Sequence, residues 1–290
     1  MGRAAKPNIS ICYDFDGTLI RGNMHENSFL PEIGTSADEF WDKVKERAHQ
    51  HDMDEVLAYM QLMIEGAKRA EKPYTREALV EHGKKLDLFP GVEGWFGSIN
   101  AYCKDIGAKV EHFVISSGLQ EMIEGSGIAK EFQHVFASGF RFDANGVPDF
   151  PARAVNYTTK TQYLFRINKG IVNSWDNEQI NRFTPEDKRP RPFSRMIYIG
   201  DGETDVPAMK MVNYQGGYSV AVYPPKEPGR RRTKIEVARQ RTAEQLVRDN
   251  RAQFVVEADY RCEGPVYRVV KMLLRRIVDE YKLRMNLNAR

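Results

Sequence analysis

Apolar and polar positions follow two rhythms along this chain, and the change between them divides it. A short apolar run at 9–13 ends on an Asp-Phe-Asp-Gly turn and reads as a buried strand. From residue 23 to about residue 94 the spacing becomes helical. Residues 36–47 open on a serine, carry acidic side chains first and basic ones later, as a helix dipole favours. Residues 53–69 repeat apolar positions at helical spacing, and 75–86 read as another capped helix. No strand pattern interrupts this stretch.

Strand-like runs return at 110–116, 134–137, 196–199, 219–222 and 254–256. Between and after them, 119–124, 159–167, 206–212, 233–249 and 264–281 read as helices. Asp-Ala-Asn-Gly within 140–150 predicts a hairpin turn. Residues 174–194 are polar and proline-bearing and read as a loop, and 224–229 as a turn-rich break. Strands alternating with helices predict an α/β fold: a parallel sheet with helices on both faces, interrupted after its first strand by an all-helical insertion. In such sheets ligands bind beyond the carboxyl ends of the strands. Three strands are followed directly by polar residues: Asp14 and Asp16, Ser116 and Ser117, and Asp201.

Composition narrows the function classes. The 290 residues are 41% hydrophobic and 29% charged, ordinary for a globular protein. A net charge of +3 does not argue for nucleic acid, although 225–290 hold 17 Lys+Arg against 9 Asp+Glu. Such a bias is most simply the solvated face of helices. Three distant cysteines, Cys12, Cys103 and Cys262, form no CxxC and suit a reducing cytoplasm. No apolar run is long enough to span a bilayer, and the first residues have no secretory pattern. His49 and His51 read as surface histidines, and Arg230–Arg231–Arg232 as a solvated loop.

The chemistry sits in four segments: YDFDGTL (13–19), VISSGL (114–119), a lysine in TTKTQ (158–162) and YIGDGETDVPAM (198–209). In this order, the two acidic motifs each closing a strand, they resemble the motifs of the haloacid dehalogenase-like hydrolases. The helical insertion, the Ser-Gly pair and the Gly-Asp-Gly turn are most similar to the phosphoserine-phosphatase-like branch. The resemblance implies a discontinuous Rossmann-like core at 1–20 and 95–290, with a helical cap at 21–94. It also implies a Mg²⁺-dependent phosphomonoester hydrolase acting on a small soluble phosphorylated metabolite. Asp14 would be the nucleophile and a metal ligand, and Asp16 the general acid and base, lending its backbone carbonyl to the metal. Asp201 would be the third ligand.

A hard divalent cation answers the electrostatic problem of this site, because an aspartate can approach an anionic phosphate only if charge is compensated. Ser117 and Gly118, where a strand meets a helix, form an anion site, and the glycine admits close backbone approach. Spacing leaves Ser116 and Ser117 both open as the phosphate-binding hydroxyl; the Ser-Gly pairing of the family favours Ser117. Lys160, following two threonines, would neutralise charge on the phosphate. Thr18 is expected to support the Asp14–Asp16 loop by hydrogen bonding, and Asp205 to accept from Lys160 or a metal-bound water. Glu203 and Thr204 fall near the edge of the site. In the cap, Arg21, His25, Glu26 and Arg69 are polar positions for facing the substrate. Asn23 stands near the place where the phosphoserine branch carries a glutamate. Asp16 serves transfer as well as hydrolysis, so a phosphotransferase or phosphomutase is the alternative reading. A phosphate-binding regulatory module is a further one.

Overall fold

The computed structural model describes residues 6–72 and 74–288; the stretch 1–5, part of the N-terminus read above, lies outside the described residues. The chain begins with β1 (Asn8–Tyr13) and then runs through five helices. These are α1 (Met24–Asn27), α2 (Phe29–Glu32), α3 (Ala37–His51), α4 (Glu55–Arg69) and α5 (Arg76–Gly83). Next come α6 (Val92–Asp105), β2 (Lys109–Leu119), α7 (Gln120–Gly125), β3 (His134–Phe142) and β4 (Pro148–Arg153). The second half holds α8 (Lys160–Lys169), α9 (Asn177–Asn181), β5 (Met196–Gly200) and α10 (Val206–Tyr214). It closes with β6 (Tyr218–Tyr223), α11 (Lys234–Arg248), β7 (Phe254–Glu257) and α12 (Pro265–Asn288).

The strands form one sheet in the order β4-β3-β2-β1-β5-β6-β7. Every pairing is parallel except β3–β4, an antiparallel hairpin at one edge. The hairpin turns where the Asp-Ala-Asn-Gly signal placed it. The Asp143 carboxylate accepts from the Asn145 and Val147 amides at 2.8 and 2.9 Å, and Gly146 supplies a φ of +74°. β1 is central and buried on both faces, as its near-continuous apolar run requires. Ile9, Ile11 and Tyr13 point into a core shared with α6 and α12, and Cys12 into the opposite core beneath α8, α10 and α11. The chain moves outward from β1 to β2 and β3, then returns to the other side of β1 as β5. This reversal makes the β1–β5 crevice the place where such sheets hold ligands.

The helical elements begin and end for local reasons. Ser36 accepts the Glu39 amide at 3.2 Å, Asp54 the Val56 amide at 2.8 Å, and Thr75 the Ala78 amide at 3.2 Å. Three expected boundaries shift. α3 runs on to His51, with Asp52 in the left-handed region, and α5 stops at Gly83 rather than 86. β2 continues through both serines to Leu119, with an irregularity in its β3 pairing between Ser116 and Leu119. The expected loop at 174–194 contains the short α9 and is pinned from within. The Arg166 guanidinium donates to the carbonyls of Asn173 at 2.6 Å and Ser174 at 2.9 Å. The boundary expected at residue 94 falls inside α6, which packs on β2 and α12. No helix among the described residues is long and apolar enough to cross a membrane.

α5 packs backbone to backbone against α7. A Cβ on Gly83 would meet the Met122 carbonyl oxygen at 2.0 Å, and one on Gly125 the Val80 oxygen at 2.0 Å. A polar chain runs through the same core: Trp95 Nε1 donates to the Tyr13 hydroxyl at 2.8 Å. Tyr13 lies 2.9 Å from His112 Nδ1, and His112 Nε2 lies 3.1 Å from Asn100 Oδ1. A neutral imidazole satisfies every member. Burial pushes the His112 pKa down from its ordinary value to about 4. The unfolded chain therefore takes up that proton first as pH falls. The stability of the neutral ring is whole above about pH 6.5 and is lost at about 1.4 kcal/mol per pH unit on the way down to its folded-state pKa. Urea unfolding between about pH 7 and about pH 5 is expected to give a flatter profile for His112→Gln than for wild type. Parallel profiles would show that the ring does not titrate in this way.

Candidate active site

β1 and β5 lie side by side with Tyr13 opposite Ile199, so the residues that follow each strand emerge together. Those residues are Asp14 and Asp201. The Asp14 amide donates to the Ile199 carbonyl at 2.9 Å, which fixes the exit of β1. Carboxylate oxygens of Asp14, Asp201 and Asp205 lie within 4.8 Å of one another. Lys160, the first residue of α8, reaches between them. Its Nζ is 2.9 Å from Asp14 Oδ1 and 2.7 Å from Asp205 Oδ1, and its side chain is 1% exposed.

Asp205 is the fixed post of this group. Its Oδ1 also accepts the Tyr198 hydroxyl at 2.7 Å, and its Oδ2 the Asp201 amide at 3.1 Å. Two glycines make the close packing possible. A Cβ on Gly17, which has a φ of +68°, would lie 2.0 Å from Asp201 Oδ2, and one on Gly200 would lie 2.2 Å from Asp205 Oδ2.

Asp16 is held apart from the metal-type cluster. Its Oδ1 accepts the Met24 amide at 2.9 Å, where the chain enters α1. Burial, then the charge of Asp14, pushes its pKa well above the usual carboxylate range. A Cβ on Gly118 would lie 3.0 Å from Asp16 Oδ2 and 2.2 Å from Met24 Cε, so this glycine is fixed by the approach of β2 to the loop. Burial also raises Asp14, with Asp205 adding to it and Lys160 opposing it. Asp201 is pushed up to about 8 by burial and then by Asp14 and Asp205. On Lys160 burial acts downward, and the two aspartates overcome it, so the ammonium is held charged.

Both serines line the cavity above these groups. The Ser116 hydroxyl accepts the Gly118 amide at 3.0 Å, whereas the Ser117 hydroxyl has no partner among the described residues. The Ser117 carbonyl accepts from Tyr59 at 2.6 Å and from Ser138 at 2.9 Å. Thr18 departs from expectation. Its side chain is fully buried and its hydroxyl has no partner among the described residues; it supports the loop through its backbone, the amide donating to the Phe15 carbonyl at 3.3 Å and the carbonyl accepting the Tyr260 hydroxyl at 2.8 Å.

The cavity measures about 330 Å³, at the small end for ligand sites. Its roof comes from the helical insertion: Asn23, His25, Trp41, Glu55, Val56 and Tyr59. The core adds Tyr157, Gly202, Thr204 and Arg239. Of the four cap positions named from sequence, only His25 is there. It is 2% exposed, packed 4.8 Å from the Tyr59 ring, with neither ring nitrogen bonded among the described residues. Arg21 is turned away, paired with Asp87 at 3.4 Å and Glu227 at 3.5 Å. Glu26 stands behind the wall, accepting from Asn23 Nδ2 at 2.7 Å and Trp41 Nε1 at 2.8 Å. Arg69 ends α4, whose first turn is the one at the cavity, and so lies about 20 Å along the helix from it. The Glu203 side chain lies outside the described residues.

The cap residues Trp41, Glu55 and Tyr59, and Tyr157 and Arg239 from the core, carried no sequence signal beyond ordinary helix or loop positions. Two of them take part in a tie between insertion and core. Asn156 Nδ2 donates to Asp54 at 2.5 Å, and the Tyr157 hydroxyl to Glu55 at 3.0 Å. The loop that leads into Lys160 thus holds the first turn of α4.

A parallel sheet whose switch point opens on clustered carboxylates beneath a helical roof defines a capped α/β hydrolase. The chain belongs to the haloacid dehalogenase-like hydrolases: the family model matches residues 11–210. An uncharacterised protein of Borreliella burgdorferi is 30% identical over 229 residues, covering 71% of this chain and 78% of its own. Among solved structures, a substrate-bound phosphoserine phosphatase aligns with a TM-score of 0.53 at 16% identity, covering 89% of this chain and 97% of its own. A probable phosphoserine phosphatase from Vibrio cholerae aligns with a TM-score of 0.55 at 17% identity, covering 96% and 67%. At these identities the likeness is one of fold.

Proposed function

We propose that this protein is a Mg²⁺-dependent phosphomonoester hydrolase that works through a phosphorylated Asp14 and acts on a small phosphorylated metabolite. The observation that carries the reading is the Lys160 ammonium lodged between Asp14 and Asp205, beside the Asp201 carboxylate. In the same reading residues 21–94 form the cap, its helices ending ahead of α6.

The residues present fit a hard cation. The half-buried Asp201 carboxylate makes no hydrogen bond or ion pair among the described residues, and it shares its site with two more. Asp14, Asp201 and the Asp16 carbonyl would hold Mg²⁺, with Asp205 behind them; when bound, the ion neutralises charge between the nucleophile and the phosphate. Asp14 attacks phosphorus, forming an Asp14 oxygen–phosphorus bond as the ester oxygen–phosphorus bond breaks. Protonated Asp16 gives its proton to the departing oxygen. Asp16, now a carboxylate, takes a proton from water as the water oxygen attacks phosphorus and frees Asp14. Lys160 balances the charge that builds on the phosphoryl oxygens. Ser117, whose hydroxyl is unbonded among the described residues, and the backbone at Gly118 receive those oxygens. The roof of His25, Trp41 and Tyr59 keeps bulk water from the phosphorylated aspartate.

The test is phosphate release from p-nitrophenyl phosphate. Turnover is expected with Mg²⁺ and lost on chelation by EDTA, then recovered when Mg²⁺ is restored. Turnover that persists in EDTA would refute the metal dependence, and no turnover under any condition would refute the phosphatase reading.

A further inference from the structure

Several basic side chains leading into and through α11 are engaged by nearby acids. Arg230 pairs with Glu227 at 2.9 Å and with Glu236 at 2.6 Å, Arg232 pairs with Glu257, and Arg248 pairs with Glu244 at 3.1 Å. Arg239 differs. It is half-buried, it lines the cavity beside Gly202 and Thr204, and it makes no hydrogen bond or ion pair among the described residues. The carboxylate best placed to reach it along its own helix is Glu236, three residues earlier. Glu236 is already engaged by Arg230 and by the Thr233 amide at 2.7 Å, which closes the N-terminal cap of α11. With Glu236 occupied, the Arg239 guanidinium is left facing the cavity, where the carboxylate its charge acts on is Asp201.

Resting on the phosphatase reading, we propose that Arg239 receives a second anionic group of the substrate, a carboxylate or a second phosphoryl group carried by the leaving alcohol. The reacting phosphate already has its cation in Lys160, which rises from the floor at the head of α8. Arg239 enters from a different element, on the wall. A guanidinium offers a planar fork that matches two anionic oxygens, and it is always charged. The other walls do not suit an anion: the roof is aromatic, and its one charged group, Glu55, is acidic. A cavity of about 330 Å³ leaves room for only a few heavy atoms between the two anionic groups. The substrate class is therefore a short phosphorylated acid or a short bisphosphate.

Two matched pairs of probes test this. 3-Phosphoglycerate is compared with glycerol 3-phosphate, and propane-1,3-diyl bisphosphate with propyl phosphate. Binding to the Mg²⁺-loaded Asp14→Asn protein is read by calorimetry, and inhibition of p-nitrophenyl phosphate turnover by wild type supplies the same ratio without that variant. In at least one pair the doubly anionic member is expected to bind roughly ten-fold tighter or more, as a charge-assisted fork supplies. Arg239→Ala is expected to erase that preference and Arg239→Lys to keep part of it. The arm that carries the preference says whether the group is a carboxylate or a phosphoryl group. No preference in either pair overturns the proposal, as does a preference that survives Arg239→Ala. An equal loss on both members of a pair overturns it too, because the arginine would then serve the reacting phosphate or the packing of α11. Failure of the phosphatase reading appears elsewhere, as absent turnover with the binding preference intact.

Discussion

Asp14→Asn is expected to lower turnover of p-nitrophenyl phosphate by roughly 10⁴-fold or more, the scale at which removing a nucleophile leaves only residual catalysis. The replacement is nearly isosteric, and its backbone amide still donates to the Ile199 carbonyl. What it loses is a nucleophilic oxygen. An acid-quenched wild-type reaction with radiolabelled substrate is expected to hold label that hydroxylamine releases, as an acyl phosphate does, and the variant to hold none. Folding serves as the control. Asp14, Asp201 and Asp205 crowd one ammonium, and burial and mutual repulsion raise Asp14, Asp16 and Asp201. Without Mg²⁺, neutralising one of them relieves that repulsion, so the variant is expected to melt no lower than wild type. Equal turnover by the two proteins would end the case for Asp14 as nucleophile.

The parts of this site that sequence reveals are those fixed by strand ends. Asp14, Ser116 and Ser117, and Asp201 each follow or close an apolar run, and a parallel sheet brings such ends together whatever the intervening chain does. Lys160 was legible from its place after two threonines at the start of a helix, and Asp205 from its turn. The roof was not legible. Glu55 and Tyr59 face the cavity because α4 is tied by Asp54 to Asn156, a contact across 102 residues that leaves no local pattern. Helical periodicity identifies the apolar face of α4 but cannot say which end of it meets the sheet. Arg69 and Glu55 look equally eligible from sequence, and only the tie of the first turn of α4 to Asn156 and Tyr157 separates them. Asn23 is a related case. The phosphoserine branch carries a glutamate near this place, and here Glu26 sits behind Asn23 and orients it together with Trp41. The acid is retained as a buttress and withdrawn from the cavity. Arg239 was hidden in a charge bias that usually means a solvated face, and it emerges only once the fold puts it on the cavity wall with Glu236 already engaged.

Lys160→Met removes a charge while keeping much of the stem, and two losses with different remedies are expected. The fold is expected to lose roughly 3–5 kcal/mol in the absence of divalent cation, since deleting one partner of a buried ion pair leaves the other charges uncompensated. Here both Asp14 and Asp205 lose their ammonium, at 2.9 and 2.7 Å. Mg²⁺ is expected to restore part of that stability, because it supplies positive charge to the same carboxylates. It is not expected to restore the rate. A cation aimed at the phosphoryl oxygens is worth roughly 10²–10³ in turnover on the scale of single oxyanion-hole donors, and that contribution goes with the ammonium. The variant, refolded by Mg²⁺ and measured at saturating Mg²⁺, should therefore remain impaired by about that factor. If saturating Mg²⁺ returned both stability and turnover to wild-type values, Lys160 would be only a structural counter-ion. The tie between the loop at Asn156 and the first turn of α4 would then bear on cap placement alone, with no consequence for the position of a charge that acts on the reacting phosphate.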